Sequence, residues 1–384
     1  MKRSIERVLT THTGSLPRPD DLAEMLYARE SGEAIDRAAF EARVRSAVAE
    51  TVRKQVETGV DIVNDGEMSK IGYSTYVKDR LTGFGDETQR RAALSAADMA
   101  EFPEFTQRTF AARKNPPMRR PSCNGPIAYK DTGELQRDLD NLKAAMAGAN
   151  AAEAFMSAAS PGVIAQFLGN YHYPTHEAYI AALADAMKVE YDAIHRAGFL
   201  LQVDCPDLAM SRHIQFAGSS VAEFRKVAEM HVEALNHALR DIPADRVRLH
   251  LCWGNYEGPH HRDIALRDII DVVFKARATA ISYEAANPRH EHEFKVFKEV
   301  RLPDGRVLIP GVLDSTNNFI EHPEVVAMRI CNLAGVVGRE NVIAGTDCGF
   351  ATFVSYSRVV APIVWAKFRA MADGARIASR ELWG

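Results

Sequence analysis

Two residues two apart, His250 and Cys252 in the run RLHLCWGN, carry the first chemical signal in this chain. Side chains alternate faces along a strand, so an imidazole and a thiol at i and i+2 point the same way and can converge on one metal ion. Leu249 and Leu251 then face the opposite side. Glu284 closes the run ISYEA, and Cys348 closes IAGTDCG. Three strand ends would thus offer one imidazole, two thiols and one carboxylate, a donor set zinc accepts in tetrahedral geometry. Spacing alone supports the His–Cys pair and does not add the other two. A buried cysteine is usually a small hydrophobe, the reading given to Cys331 in the apolar helix MRICNLAG, and Cys123 has no partner signal.

A zinc ion rich in thiolate ligands is a poor activator of water and a good holder of another soft ligand. A substrate thiol bound there loses its proton near neutral pH and stays nucleophilic. The carboxylate, as the hard ligand, can give up its place. The chemistry these residues suggest is activation of a thiol for attack on an alkyl carbon. A closed structural zinc site is the alternative, although structural sites favour close ligand pairs over scattered strand ends.

Such groups need strand ends to stand on. VDIVND, the strand ending at Asp204 and Pro206, RVRLHLC, ATAISYEA, VLIPGVLDS and NVIAGTDCG read as strands. Between and before them, residues 32–59, 87–112, 134–147, 173–198, 221–239, 263–276, 290–300 and 322–338 carry helical patterns. Regular alternation of this kind implies parallel strands with right-handed crossovers. The expectation is a (β/α)8 TIM barrel, one catalytic unit over residues 1–384, with its polar groups on the C-terminal rim of the strands. A doubly wound sheet gives similar alternation and stays open as the alternative.

The 384 residues are 46% hydrophobic and 26% charged, with formal net charge −4, enough for a large core and without the basic surface of a nucleic-acid or membrane binder. No apolar run is long enough to span a bilayer. Five scattered cysteines argue against a disulfide framework, and MKRSIERVLTTHTGS lacks a signal-peptide core, so a cytoplasmic protein is expected. Nothing in the sequence sets the oligomeric state.

At these residues the chain resembles the catalytic barrel of the cobalamin-independent methionine synthase family, in a short, single-barrel form. The matching pieces are THTGSLPRP, DGEMSKIGY, QVDCPDLAM, HLCWGN, ISYEA and GTDCGF. The wider superfamily includes epoxyalkane:coenzyme M transferases, which use zinc to activate a different thiol. The resemblance implies zinc held by His250, Cys252, Glu284 and Cys348, with homocysteine bound through Glu67, Asp204 and the backbone near Ser15. It implies methyl transfer from 5-methyltetrahydrofolate or a related donor to homocysteine or a similar small thiol, with addition of coenzyme M to an epoxide as the alternative. Read without the resemblance, Ser15 could cap a turn, Glu67 could be a solvated loop acid, and Asp204 could cap the next element.

Two departures stand out. The family's Asp-Glu-Pro run is Asp204-Cys205-Pro206 here. The family histidine credited with protonating the leaving folate is replaced by Thr316, in the run from Gly311 to Asn317. Threonine is no general acid at neutral pH, which shifts attention to Asp314 or a nearby histidine. Tyr256, in WGNYEGPHH, is ranked above His260 as a ring that could stack on a flat donor. Arg18 could meet an acidic substrate tail.

Overall fold

Residues Glu153–Ala159 form a strand, β2, second in the order of the sheet, that the sequence pattern does not mark. Its residues, EAFMSAA, favour a helix by intrinsic propensity. Parallel pairing with both neighbours, and burial of six of its seven residues, override that preference. The computed structural model describes residues 1–85, 96–111, 119–354 and 358–384. The expected helix over 87–112 therefore lies partly outside the described residues.

Among the described residues seven parallel strands form one sheet in sequence order: β1 (Ile62–Val63), β2, β3 (Leu200–Asp204), β4 (Val247–Leu251), β5 (Ala280–Tyr283), β6 (Val307–Leu313) and β7 (Gly345–Thr346). The sheet is open and strongly curled, a half-barrel, and the expected closed eight-stranded barrel does not form. The reason lies in residues 9–11. Thr11 N–H donates to Ala344 O at 2.8 Å and Ile62 N–H to Thr10 O at 3.0 Å, so this segment touches both edges. It makes only a single-residue bridge, Thr10 with Ala344. The threonine hydroxyls bond to Gly59 O, Asp61 and Ile62 O instead of leaving a plain ladder. Edge strands of two residues give such a segment little to pair with.

Register places every second side chain in the concavity. Gln202 pairs with Arg248, Asp204 with His250, and His250 with Ser282. Below this polar row sits a small apolar cluster of Leu9, Ile62, Phe155, Leu200, Ala280, Val307, Ile309 and Ile343. Between the two lies the Arg248 guanidinium, 4.0 Å from the Phe155 ring and donating to Thr11 Oγ1 and His12 O. The convex face is apolar: Leu201, Val203, Leu249, Leu251, Ile281 and Leu308 join the large cluster under the helices.

Helices Arg37–Glu57, Gly133–Met146, His176–Arg196, Val221–Ala238 and Pro323–Val337 confirm five of the expected helical stretches. Their starts are capped by Asp36, Thr175 and Ser220, the last in a capping box with Glu223. The segment 263–276 yields only a short helix, Ile270–Val273, and 290–300 a 3₁₀ helix, Glu291–Lys298. A C-terminal helix, Ala361–Trp383, was not anticipated. It packs on Pro323–Val337 through Gly374, where a Cβ would meet the Val326 side chain at 2.5 Å.

The loop after β1 is anchored from behind by a buried ionic cluster. Arg80 lies between Asp138 and Glu190, all with side chains at most 6% exposed. Tyr76 and Tyr129 donate to Glu190 at 2.5 and 2.7 Å. Burial pushes the Glu190 carboxyl up, but Arg80, Lys70 and the two phenols outweigh it and hold it below the usual range. A depressed native pKa contributes stability that is present above the unfolded value and lost as pH falls through the folded one. Glu190→Gln should therefore lower unfolding free energy by about 2–3 kcal/mol at neutral pH. The gap to the parent protein should narrow once pH drops below about 4. Denaturant titrations at both pH values check this, and a gap unchanged by acid contradicts it.

Candidate active site

The strand register decides which side chains meet. His250, on β4, is 3% exposed, and Cys252 follows directly after the strand on the same face. Cys348 comes two residues after β7. Their ligating atoms lie within 4.8 Å of one another, and all three residues are buried. His250 Nδ1 contacts Ser282 Oγ at 3.1 Å, which leaves Nε2 uncommitted. Burial, with Arg248 nearby, pushes the imidazole down to about 3, so it is neutral, the form that ligates. The Cys348 thiol is held well up by burial and by Cys252. At Cys252 the contact with Cys348 favours the thiolate, but burial and Glu284 outweigh it and raise the thiol. Two soft thiols and a neutral imidazole around one point, with anions repelling each other, form a donor set that a zinc ion fits.

Glu284 stands beside this trio rather than within it. Its Oε1 accepts from Trp253 N at 2.7 Å and lies 3.7 Å from Cys348 Sγ, and its Oε2 accepts from Asn287 Nδ2 at 2.8 Å. The loop bearing it is fixed by Asp347, whose oxygens accept from the N–H groups of Ala285, Ala286 and Asn287 at 2.7 to 2.9 Å. Burial and Glu284 push Asp347 up to about 8. Gly311 makes room for it: a Cβ there would stand 1.9 Å from Asp347 Oδ1. Sequence reasoning passed over Asp347 as a neighbour of Cys348. No motif marks an acid that serves the amides of a neighbouring loop.

Asp204 ends β3 and is 4% exposed; it accepts from Gln202 Nε2 at 2.8 Å. Glu67 is 2% exposed and adopts φ 57°, a left-handed conformation uncommon for a residue with a side chain. Its Oε2 makes no hydrogen bond among the described residues; Arg18 is 3.9 Å away. Burial raises both carboxyls, and repulsion from Glu67 raises Asp204 further. Glu67 is thus no solvated loop acid. Arg18 is turned inward, donating to Leu16 O, Ala351 O and Lys70 O, so it braces loops and meets no substrate tail. Ser15 packs beside Cys348: its O accepts from Phe350 N at 2.9 Å, and a Cβ on Gly349 would lie 2.0 Å from its Oγ.

Other expected residues are engaged elsewhere. Asp314 follows β6 and is saturated by its own turn, accepting from Thr316 N and Oγ1 at 2.7 Å each and from Asn317 Nδ2 at 2.5 Å. Tyr256 donates to Asp98 at 2.8 Å and stacks on His260 at 4.1 Å. Cys205 is buried, with its N–H on His250 O at 2.8 Å. Cys331 lies half-buried in Pro323–Val337, away from the trio, as a packing residue. Tyr73, which the sequence reading left without a role, has its phenol pushed well up by burial, with Cys252, Asp204 and Cys348 adding to the shift.

Comparisons with known proteins agree with this site. Residues 8–105 match the family described as "Cobalamin-independent synthase, Catalytic domain". The methionine synthase of Pyrococcus furiosus is 24% identical over 366 residues, covering 91% of this chain and 89% of its own. That of Saccharolobus islandicus is 25% identical over 386 residues, covering 97% and 95%. In fold, a B12-independent methionine synthase from Shewanella sp. W3-18-1, in complex with selenomethionine, superposes with TM-score 0.75 at 18% identity over 98% of this chain and 99% of that one. Among the described residues, no helix is long and apolar enough to cross a membrane. The chain is thus similar over nearly its whole length to cobalamin-independent methionine synthases, a likeness that supports an enzyme of methyltransferase type.

Proposed function

We propose that the protein transfers a methyl group to the sulfur of homocysteine, using a zinc ion held by His250, Cys252 and Cys348, with Glu284 as the exchangeable fourth ligand. The observation that carries this reading is the pairing of two unlike sites on one rim. The metal-ligating trio lies within 4.8 Å, and beside it stand two buried carboxyls whose proton affinity stays raised although Arg18, Lys70 and Arg248 are near. A zinc ion there would hold a substrate sulfur as thiolate at neutral pH. Asp204 and Glu67 bind and orient a positively charged amine; their raised proton affinity falls when an ammonium enters. Glu284, already held through Trp253 and Asn287, has a place to withdraw to when the sulfur arrives.

The same carboxylates speak against coenzyme M and the epoxide reaction. A sulfonate brought next to Asp204 and Glu67 meets like charge and offers no donor. The methyl donor is 5-methyltetrahydrofolate or a related compound, although neither Thr316 nor the saturated Asp314 has a proton to spare for its leaving group.

An activity screen of the zinc-loaded protein tests the reading. Homocysteine and coenzyme M are each paired with 5-methyltetrahydrofolate, a methylated corrinoid and a small epoxide, and thiol alkylation is measured. Methionine formation from homocysteine with at least one methyl donor is expected. Alkylation of coenzyme M alone contradicts the assignment.

Asp204→Asn should cut kcat/KM for homocysteine by about 10- to 100-fold, the worth of a charge-assisted hydrogen bond. Zinc per chain should stay the same. A thiol without an amino group should lose nothing. Loss of zinc, with normal turnover per metal-loaded site, would remove Asp204 from substrate binding.

A further inference from the structure

His290 lies in the loop after β5, immediately before the 3₁₀ helix Glu291–Lys298. Its buried ring lies flat on the Trp253 indole, with centroids 3.9 Å apart and planes 21° apart. Nδ1 is 2.8 Å from Glu293 Oε2, and Nε2 is 3.0 Å from Asp263 Oδ2. An ionised carboxylate only accepts, so both ring nitrogens donate and the ring is an imidazolium. Burial works against that charge, but the bonds to Asp263 and Glu293 outweigh it and hold the ring up to about 10. The two acids are fixed in turn. Asp263 Oδ2 also meets His260 Nδ1 at 2.8 Å, and Glu293 Oε1 accepts from Leu266 N at 2.7 Å.

This residue supports both hydrogen bonds that hold Glu284. The Trp253 N–H donates to Glu284 Oε1 at 2.7 Å, and the stacked indole is pinned at its other end by Nε1 donating to Ile264 O at 2.6 Å. On the second side, the His290 N–H donates to Asn287 Oδ1 at 3.1 Å, and Asn287 Nδ2 donates to Glu284 Oε2 at 2.8 Å. One residue thus grips, by its ring and by its backbone, the two donors of one carboxylate. A cation over an indole face is attracted by the ring quadrupole, and more strongly where water is excluded. Held in this way, Glu284 has both oxygens paired while it stands 3.7 Å from Cys348 Sγ.

We propose that His290 is a positioning residue that sets how readily Glu284 yields its place on the metal to an incoming thiol. This rests on the zinc-and-thiol reading above. A carboxylate that withdraws inside a buried site needs donors for both oxygens, because a buried charge left unpaired is costly. The cradle of Trp253 and Asn287 supplies those donors, and His290 holds the cradle in shape. Where the cradle loosens, the withdrawn position loses its advantage. Glu284 then stays on the metal and competes with the substrate sulfur. His290 acts through Trp253 and Asn287 and not on the reacting atoms.

His290→Gln removes the flat cation and keeps a polar side chain for Asp263 and Glu293. His290→Lys keeps the positive charge between the two acids, removes the ring, and carries the test if the glutamine variant does not fold. Each is made in the parent protein and in Glu284→Ala. Calorimetric affinity for homocysteine and zinc per chain are measured on the zinc-loaded proteins, and X-ray absorption counts the sulfur neighbours of the metal. In the parent background homocysteine should bind about 10-fold more weakly, the worth of one hydrogen bond, with zinc content unchanged. In Glu284→Ala, where no carboxylate competes, the same substitution should weaken binding no further. Equal weakening in both backgrounds, unchanged affinity in the parent background, loss of zinc, or failure of both variants to fold overturns the role. A parent protein whose zinc gains no sulfur from homocysteine refutes the thiol reading itself, and this role with it. A parent protein whose zinc gains that sulfur, with variants that bind homocysteine equally well, overturns the role alone.

Discussion

The arrangement depends on one buried cation in the concavity of the sheet. Arg248 points inward from β4, 1% exposed, between an apolar floor and a polar rim. Burial lowers its pKa to about 9, and Asp204 offsets part of that cost. It therefore remains charged at neutral pH. Below, it lies on Phe155; sideways, it holds Thr11 and His12 O, the segment that leads into the Gly14–Ser15 turn. Above, it helps keep His250 neutral. A single side chain thus ties the N-terminal segment to the strand that carries His250 and leads into Cys252. The sheet needs this tie because no ladder of strands closes it.

The rim built on that base separates two kinds of charge. On one side, soft thiols and an imidazole demand a metal cation. On the other, burial raises the proton affinity of Asp204 and Glu67, which an entering organic cation would offset under the proposed reading. Between them the Trp253 amide donates to Glu284, and the Asp347 carboxylate accepts from the Ala285 amide, so that Glu284 is held close to the trio without being fixed inside. A thiol and an amine separated by a short carbon chain would satisfy both demands at once. A larger or anionic thiol would satisfy only the first.

Much of this was legible in the sequence where period and residue type coincide. The HxC spacing needed only strand alternation, and Asp204, Glu284 and Cys348 each stood at the end of an apolar run. Other features were not local. EAFMSAA in β2 is a strand only because β1 and β3 flank it. Residues 9–11 bond to both edges yet form only a one-residue bridge beside edge strands of two residues, which pattern reading does not count. Asp314 read as a spare acid, yet its neighbours Thr316 and Asn317 fill both its oxygens. Tyr73 lay within a recognised run, but its position depends on Phe167 and Phe353, distant in sequence.

The central claim is that the trio holds zinc and that the metal takes up the substrate sulfur. X-ray absorption at the zinc edge tests it directly. The resting protein should show two sulfur neighbours at roughly 2.3 Å with nitrogen at roughly 2.0 Å and an oxygen. Homocysteine should add a third sulfur and remove the oxygen contributed by Glu284. Absence of zinc–sulfur scattering in the resting protein, or a sulfur count unmoved by homocysteine, would contradict the account.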